Sequence, residues 1–147
     1  MLKAERRAEM TWKGNLVQGN GKVTVGSGVV EALPMTWASR TERPDGKTSP
    51  EELIAAAHAG CYAMALALTL AEEGKSPETL RVTAVCILEE VEGKPEITSM
   101  NLEVGGKVAG LDAAGFEQAA HKAEELCPVS NALRQSVVIR LNAHLEA

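Results

Sequence analysis

One long stretch without formal charge, from Leu53 to Ala71, constrains the fold more than any other part of the sequence. Its nineteen residues approach the roughly 20 that a helix needs to cross a bilayer. Eight of them are alanines, which gain little from lipid, and the flanking charges are acidic on both sides, so the positive-inside bias is absent. We therefore predict a core helix that is buried on all faces. A domain this small struggles to cover every face, which predicts an obligate homodimer with this helix near the interface.

The bounds of this helix follow from its end signals. Ser49 can cap the first turn, Pro50 fits the first helical position, and Glu52 completes a capping box. The helix is predicted to run to about Glu73, because Gly74 is a typical residue just past a helix end.

The remaining segments predict an α+β fold, with antiparallel sheets packed around the long central helix and a second helix. Its 147 residues argue for a single domain, 1–147. The predicted elements outside the long helix are a hairpin with its turn at 18–22, strands over 80–91 and 95–104, a helix over 113–126 capped by Asp112, one further helical turn after Pro128, and a final strand over 136–145.

Charge and composition exclude several classes of protein. A net charge of −5 with a pI near 5.3 argues against binding to nucleic acid, and equally against a polybasic membrane-surface protein. The start of the chain, MLKAERRAEM, has charges without the following apolar run of a signal peptide. We therefore expect a cytoplasmic protein, in a compartment where disulfides are rare unless they are catalytic.

Three cysteines remain to be explained, Cys61, Cys86 and Cys127, and none of them forms a Cys-x-x-Cys pair. Cys86 lies within a predicted strand, where a small hydrophobic role is the simplest interpretation. Cys127 precedes Pro128, which disfavours helical geometry at Cys127 and places it at a helix end, where a thiol can reach outward. Cys61 and Cys127 are either unrelated or a redox pair, and their spacing does not choose between the two.

Two stretches resemble the signature motifs of a known family. SPEELIAAAHAGCYAMAL, residues 49–66, and CPVSNAL, residues 127–133, are similar to those of the OsmC/Ohr proteins, osmotically inducible protein C and the organic hydroperoxide resistance proteins. The likeness spans almost the whole chain and includes Trp12-Lys13-Gly14 and Arg40. The position of Arg40 is more similar to the OsmC branch than to the Ohr branch. The resemblance implies an OsmC-like fold, assembled as an intertwined homodimer.

The resemblance also implies an activity, a thiol-dependent peroxidase that reduces organic hydroperoxides to alcohols in stress defence. By this likeness Cys61 is the cysteine attacking the peroxide, Cys127 resolves its sulfenic acid as a disulfide, and Arg40 and Glu51 complete the site. A dithiol reductant, with a lipoyl protein as one candidate, would restore the thiols. No metal, haem or flavin is expected.

The residue chemistry adds a constraint on where these groups come from. Only a thiolate attacks a peroxide, and burial raises the pKa of a thiol, so Cys61 needs a cation such as Arg40. Glu51 cannot help a thiolate by charge, and its expected role is to hold the arginine in a bidentate pair. Glu51 and Cys61 are ten residues apart, roughly 15 Å along a continuous helix. Either the helix bends, or Glu51, with Arg40 as a further candidate, comes from the second subunit. We predict the second case, with two composite sites at the dimer interface.

Three alternatives stay open at this point. His58 lies three residues before Cys61, so the two could form the Cys–His pair of a hydrolase or acyl transferase. His58, Cys61, His121 and Cys127 could together bind zinc. The chain could also be a non-catalytic binding protein, whose dimer holds a ligand in an apolar interface cleft. We favour the peroxidase, with His58 as a core or interface residue.

Overall fold

The computed structural model describes residues 2–147 and divides the chain into two compact units. The first unit ends at Leu53, and the second spans Ile54–Ala147. Helix α2, Pro50–Glu72, begins in the first unit and continues through the second. The single domain expected from chain length stays a prediction.

The first unit contains a three-stranded antiparallel sheet in the order β1-β2-β3, followed by a short helix that the sequence analysis did not predict. This helix, α1, is capped by Thr36, whose hydroxyl accepts the N–H of Ser39. The elements of this unit before α2 are β1 Ala8–Lys13, β2 Asn20–Val25, β3 Leu33–Met35 and α1 Trp37–Thr41.

The hairpin between β1 and β2 turns earlier than the range 18–22 predicted for it. The Asn-Gly pair expected in the turn lies inside β2, where Gly21 is opposite Trp12. A Cβ at Gly21 would stand 2.7 Å from the Trp12 ring, so the glycine makes room for the indole rather than for a turn. The turn itself begins at Gly14, which has a positive φ of 90°, and the Asn15 side chain accepts a backbone N–H within it.

The second unit contains a three-stranded sheet in the order β4-β5-β6, with β4 Pro77–Val91, β5 Lys94–Val108 and β6 Val138–Leu145. Strands β4 and β5 are antiparallel, as predicted, and join through Glu92 and Gly93, both with positive φ. Strand β6 instead runs parallel to β5, so the expectation of purely antiparallel sheets is wrong for this unit. A helical connection, α3 and α4, returns the chain from the end of β5 to the edge of the sheet where β5 begins, as a parallel pair requires.

The helices agree closely with the sequence. Helix α3 spans Ala113–Leu126 with Asp112 as its N-cap, and α4 spans Pro128–Leu133. In α2 the Ser49 hydroxyl accepts the N–H of Glu52, as predicted. The carboxylate of Glu52 does not close the expected capping box, because it accepts a hydrogen bond from the Thr48 hydroxyl. The α+β class predicted from the sequence is confirmed.

Helix α2 packs one face into the core of the second unit and leaves another face open. Tyr62, Leu66 and Leu70 are completely buried, whereas Met64 and Leu68 are 71% and 56% exposed. By length and composition alone this helix could cross a membrane, with a mean hydropathy of 1.7. Its inward face belongs to the core, which confirms the core helix, but burial on all faces does not hold within one chain. That a second subunit covers the open face stays a prediction.

Candidate active site

Two of the three cysteines face each other in the second unit. The Sγ atoms of Cys61, on α2, and Cys127, between α3 and α4, lie 3.3 Å apart. Both are thiols in this structure, because a disulfide requires about 2.05 Å between the sulfur atoms. An approach of about 1.3 Å would therefore join them. The structure brings together the two cysteines whose spacing in the sequence left their relation open.

Cys127 owes its position to the proline that follows it. Its backbone, with φ −66° and ψ 117°, is extended, as Pro128 predicts, so α3 ends there and α4 begins. The Ser130 N–H points at the Cys127 sulfur, 3.5 Å away, so the thiol caps the short helix α4. The expectation of an outward-reaching thiol is wrong, since Cys127 is completely buried and its side chain turns toward α2.

Opposing influences act on the Cys61 thiol. Burial raises the pKa of Cys61 above its ordinary value, and the Val129 N–H partly offsets this by favouring the thiolate. Contact with Cys127 raises the pKa further, because a negative charge on either sulfur disfavours a second one beside it. Within the second unit Cys61 thus lacks a strong activator, which agrees with the need for a cation inferred from the sequence.

A buried hydrogen bond lies beside the thiol pair. The Nε2 atom of His58 is 2.7 Å from the Ser130 hydroxyl oxygen, and both residues are completely buried. The other ring nitrogen, Nδ1, has no hydrogen-bond partner among the described residues. Burial lowers the pKa of His58, while Glu124 raises it and Arg134 lowers it. His58 is confirmed as a core residue, and its partner Ser130 was missed, although it stands within the CPVSNAL motif.

A second set of contacts ties α4 to the end of α3 on the surface. The Arg134 guanidinium donates to the backbone oxygen of Glu124 at 3.0 Å and to the side-chain oxygen of Asn131 at 2.8 Å. The Arg134 and Glu124 side chains also form an ion pair at 2.5 Å. The segment that carries Cys127 is therefore held by the surface contacts of Arg134 and by the buried hydrogen bond of His58.

Arg40 and Glu51 form the predicted bidentate pair, within the first unit. The Arg40 Nε donates to Glu51 Oε1 at 3.0 Å, and Nη2 donates to Oε2 at 2.9 Å. The carboxylate is nearly buried, with 8% of its side chain exposed, while 31% of the Arg40 side chain is accessible. Trp37 lies beside the guanidinium, 6.0 Å from its carbon to the ring centroid. The carboxylate thus holds the guanidinium in one orientation while part of the Arg40 side chain stays accessible.

The helix that carries Arg40 is attached to the start of α2. The Ser39 hydroxyl donates to the Thr48 backbone oxygen at 2.8 Å, and the Thr48 N–H donates to the Pro34 oxygen at 2.9 Å. These bonds fix α1 against the residues just before α2, so Arg40 faces Glu51 in the first turn of that helix. The sequence did not predict α1 and gave no signal for this attachment.

The other two candidates, Cys86 and His121, lie on β4 and α3. Cys86 lies opposite Met100 in the β4–β5 pair and packs half-buried against the core, as expected of a small hydrophobic residue. His121 is exposed on α3 and lies 3.9 Å from Glu117. Across residues 2–147 no group of three or more His, Cys, Asp or Glu side chains is arranged to hold a metal ion, so the zinc alternative finds no ligand set there.

A pair of thiols thus faces each other between a core helix and the Cys-Pro turn that joins two further helices. The model of the family described as "OsmC-like protein" matches residues 43–142, and the chain belongs to this family. This confirms the resemblance noted in the sequence.

Individual relatives agree with this assignment. The chain is 37% identical over 134 residues to Peroxiredoxin OsmC of Escherichia coli, covering 91% of this chain and 93% of that protein. It is 30% identical over 122 residues to the organic hydroperoxide resistance protein OhrA of Bacillus subtilis, covering 82% and 85%. The greater identity to OsmC agrees with the branch predicted from the position of Arg40.

A solved structure confirms the fold. The crystal structure of an organic hydroperoxide resistance protein OsmC from Legionella pneumophila superposes with a TM-score of 0.71 at 26% identity, covering 97% of this chain and 99% of that one.

Proposed function

We propose that this protein is a thiol peroxidase that reduces organic hydroperoxides to alcohols. The observation that carries the proposal is the 3.3 Å separation of the Cys61 and Cys127 sulfur atoms. The names of the relatives confirm the enzyme class predicted from the sequence, a cysteine-based peroxidase of stress defence. The substrate, the reductant and the roles of individual residues are our proposal.

The reaction begins at Cys61. Its thiolate attacks the terminal peroxide oxygen, so an S–O bond forms, the O–O bond breaks, and the alkoxide leaves as an alcohol after taking a proton. Cys61 is then a sulfenic acid. The Cys127 sulfur attacks the Cys61 sulfur, an S–S bond forms and water leaves. Cys127 plays this resolving role because it is buried against Cys61, where a second peroxide has little access.

The cycle closes by thiol–disulfide exchange with a dithiol, which takes up the disulfide and restores both thiols. A lipoyl dithiol fits this role, because it carries both sulfurs on one flexible, apolar arm. The cycle needs a reducing compartment, which agrees with the cytoplasmic location expected from the sequence. A hydroperoxide with an alkyl tail is favoured over hydrogen peroxide, since Cys61 is surrounded by apolar residues and an alkyl tail gains from apolar burial.

The Arg40–Glu51 pair is proposed to supply the cation that Cys61 lacks in its own unit. Its guanidinium would stabilise the thiolate and donate hydrogen bonds to the peroxide oxygens. Both carboxylate oxygens of Glu51 accept hydrogen bonds from the Arg40 guanidinium, so the cation is ordered before the substrate binds. Ten residues of continuous helix separate Glu51 from Cys61, about 15 Å of rise, so we propose that each pair serves the thiols of the second subunit.

The open face of α2 supports the dimer that these composite sites need. Gly60, Met64 and Leu68 follow each other at four-residue spacing, are all exposed, and carry no charge. A stripe of small and apolar side chains lets a second helix approach closely. We propose that two copies of the chain bury this face against each other.

The pH dependence of Cys61 reactivity should follow from its raised pKa. Below that pKa the thiolate fraction falls about tenfold per pH unit, so the rate should rise with pH until the pH reaches that pKa and then level off. In Arg40→Leu the thiolate loses its cation, and the rise should move to higher pH than in the wild type. Alkylation of the reduced protein, followed by mass spectrometry of the Cys61 peptide, measures both profiles. Identical profiles would remove Arg40 from the site.

Titration of thiols tests the proposed function directly. One equivalent of an alkyl hydroperoxide should consume two of the three thiols, Cys61 and Cys127, and leave Cys86 reactive toward alkylation after denaturation. Non-reducing electrophoresis should show no covalent dimer, because the two sulfurs face each other in one chain. Three thiols surviving the peroxide would contradict the peroxidase and favour the binding protein considered from the sequence.

A further inference from the structure

The hydrogen bond between His58 and Ser130 connects the two segments that carry the thiols. His58 precedes Cys61 by three residues on α2, so both project from one side of the helix. Ser130 follows Cys127 by three residues, and its backbone N–H points at the Cys127 sulfur. The side chain of Ser130 reaches His58 while its backbone reaches Cys127. A displacement of Ser130 therefore moves a group that holds the sulfur.

The chemistry of this pair is unusual for a core. His58 is completely buried, yet its Nδ1 atom has no partner among the described residues, so the ring is held by a single hydrogen bond at Nε2. An apolar side chain would fill the same volume without that desolvation cost. Apolar packing tolerates small shifts, whereas a buried hydrogen bond is directional. The bond to His58 therefore fixes the position of the segment that carries Ser130 and Cys127 more closely than apolar packing would.

The thiols need such a fixed position. The sulfur atoms stand 3.3 Å apart in the reduced state and must approach by about 1.3 Å to form the disulfide. A sulfenic acid on Cys61 that waits for Cys127 is exposed to a second peroxide molecule, which oxidises it irreversibly to sulfinic acid. Whether Cys61 ends as a disulfide or as a sulfinic acid depends on how quickly the Cys127 sulfur reacts with the sulfenic acid.

We infer that His58 is a positioning residue for the resolving step: by holding Ser130, it keeps the Cys127 sulfur within reach of Cys61. The inference rests on the proposed function and adds a residue to it. His58 does not take a proton from either thiol in this scheme. It acts through Ser130 on disulfide formation and leaves the attack on peroxide unchanged.

The expected signature is a change in one step only. In His58→Leu the rate of sulfenic acid formation should stay within about twofold of wild type, while disulfide formation slows by about 10- to 100-fold, as for a reacting group misplaced by an ångström. Sulfinic acid at Cys61 should then accumulate at peroxide concentrations that leave the wild type intact. Rapid acid quench, alkylation and mass spectrometry of the Cys61 peptide resolve the three species in time.

Two conservative variants separate positioning from simple packing. His58→Gln places an amide nitrogen near the position of Nε2, so it should keep the bond to Ser130 and restore fast disulfide formation. His58→Asn places its amide near Nδ1, which has no partner, and should remain slow. Thr69→Val is the matched control, because Thr69 is also completely buried on α2 but bonds only the backbone of its own helix. Thr69→Val should leave both the rate of disulfide formation and the yield of sulfinic acid as in the wild type.

Ser130→Ala gives an independent check should His58→Leu fail to fold. It removes the hydroxyl and keeps the backbone N–H, and it should slow disulfide formation as His58→Asn does, with no further loss in the double variant. Equal disulfide rates in wild type, His58→Asn and Ser130→Ala would overturn the inference. Trapping the Cys61 sulfenic acid with dimedone in Cys127→Ser tests the proposed function separately, because no trapped adduct there would mean that the peroxidase itself is wrong.

Discussion

Replacing Cys61 by serine should abolish peroxide reduction, with kcat/KM for an alkyl hydroperoxide lowered by at least about 10³-fold. The serine hydroxyl does not ionise near neutral pH, so it offers no nucleophile of comparable strength. It also cannot form the sulfenic acid on which the resolving step depends. Cumene hydroperoxide consumption, coupled to a lipoyl-dithiol reducing system, measures the loss.

The remaining two cysteines serve as controls with opposite expectations. Cys86→Ser should retain activity within about twofold, because Cys86 packs in β4 and its sulfur is not one of the two that face each other. Cys127→Ser should complete one turnover and then stall at the sulfenic acid. A Cys61→Ser protein that still consumes peroxide at the wild-type rate would contradict the proposed function, whereas activity lost only in Cys86→Ser would mean that the wrong thiol has been assigned.

Local signals in the sequence were enough for most of the helices and for the β4–β5 hairpin. The ends of α2 and α3 follow from side chains within a few residues, such as Ser49, Asp112 and Gly74. The direction of β6 is not a local property, because it depends on the end of the sheet to which α3 and α4 return the chain. The early turn at Gly14 has the same origin, since Gly21 is required opposite the Trp12 ring and is not available for a turn.

In the candidate site, too, the features set by nearby residues were predictable from the sequence, whereas those set by tertiary packing were not. Arg40 and Glu51 were predicted from the family resemblance and their bidentate form from their charges, but the helix α1 that presents Arg40 was not predicted. Pro128 predicted the extended backbone of Cys127 correctly. It could not predict which way the thiol turns, because that depends on the packing of α2 beside it. Ser130 had no signal beyond its place in the motif, since a buried hydrogen bond between distant residues is a tertiary feature.

Mixing two inactive variants should restore activity if the sites are composite. Homodimers of Cys61→Ser lack the thiol, and homodimers of Arg40→Leu lack the cation that is proposed to activate it, so both should be nearly inactive. A heterodimer of the two has one site with an intact Cys61 and an intact Arg40 from opposite chains. Purified heterodimers should therefore recover about half of the wild-type kcat, the share of one site in two. Co-expression with two different tags and tandem purification provides the sample.

A matched heterodimer shows whether Arg40 and Glu51 act as one unit. Because the two side chains are bonded within one chain, a heterodimer of Arg40→Leu with Glu51→Gln breaks the pair in both subunits and should recover nothing. Recovery there would mean that Glu51 is not needed to hold the cation. If the Cys61→Ser and Arg40→Leu heterodimer stays inactive, Arg40 serves the thiol of its own chain and the composite site is wrong. The length of helix between Glu51 and Cys61 would then have to be overcome by a rearrangement within a single subunit, because the rise of a continuous helix, about 15 Å over ten residues, is fixed by its geometry.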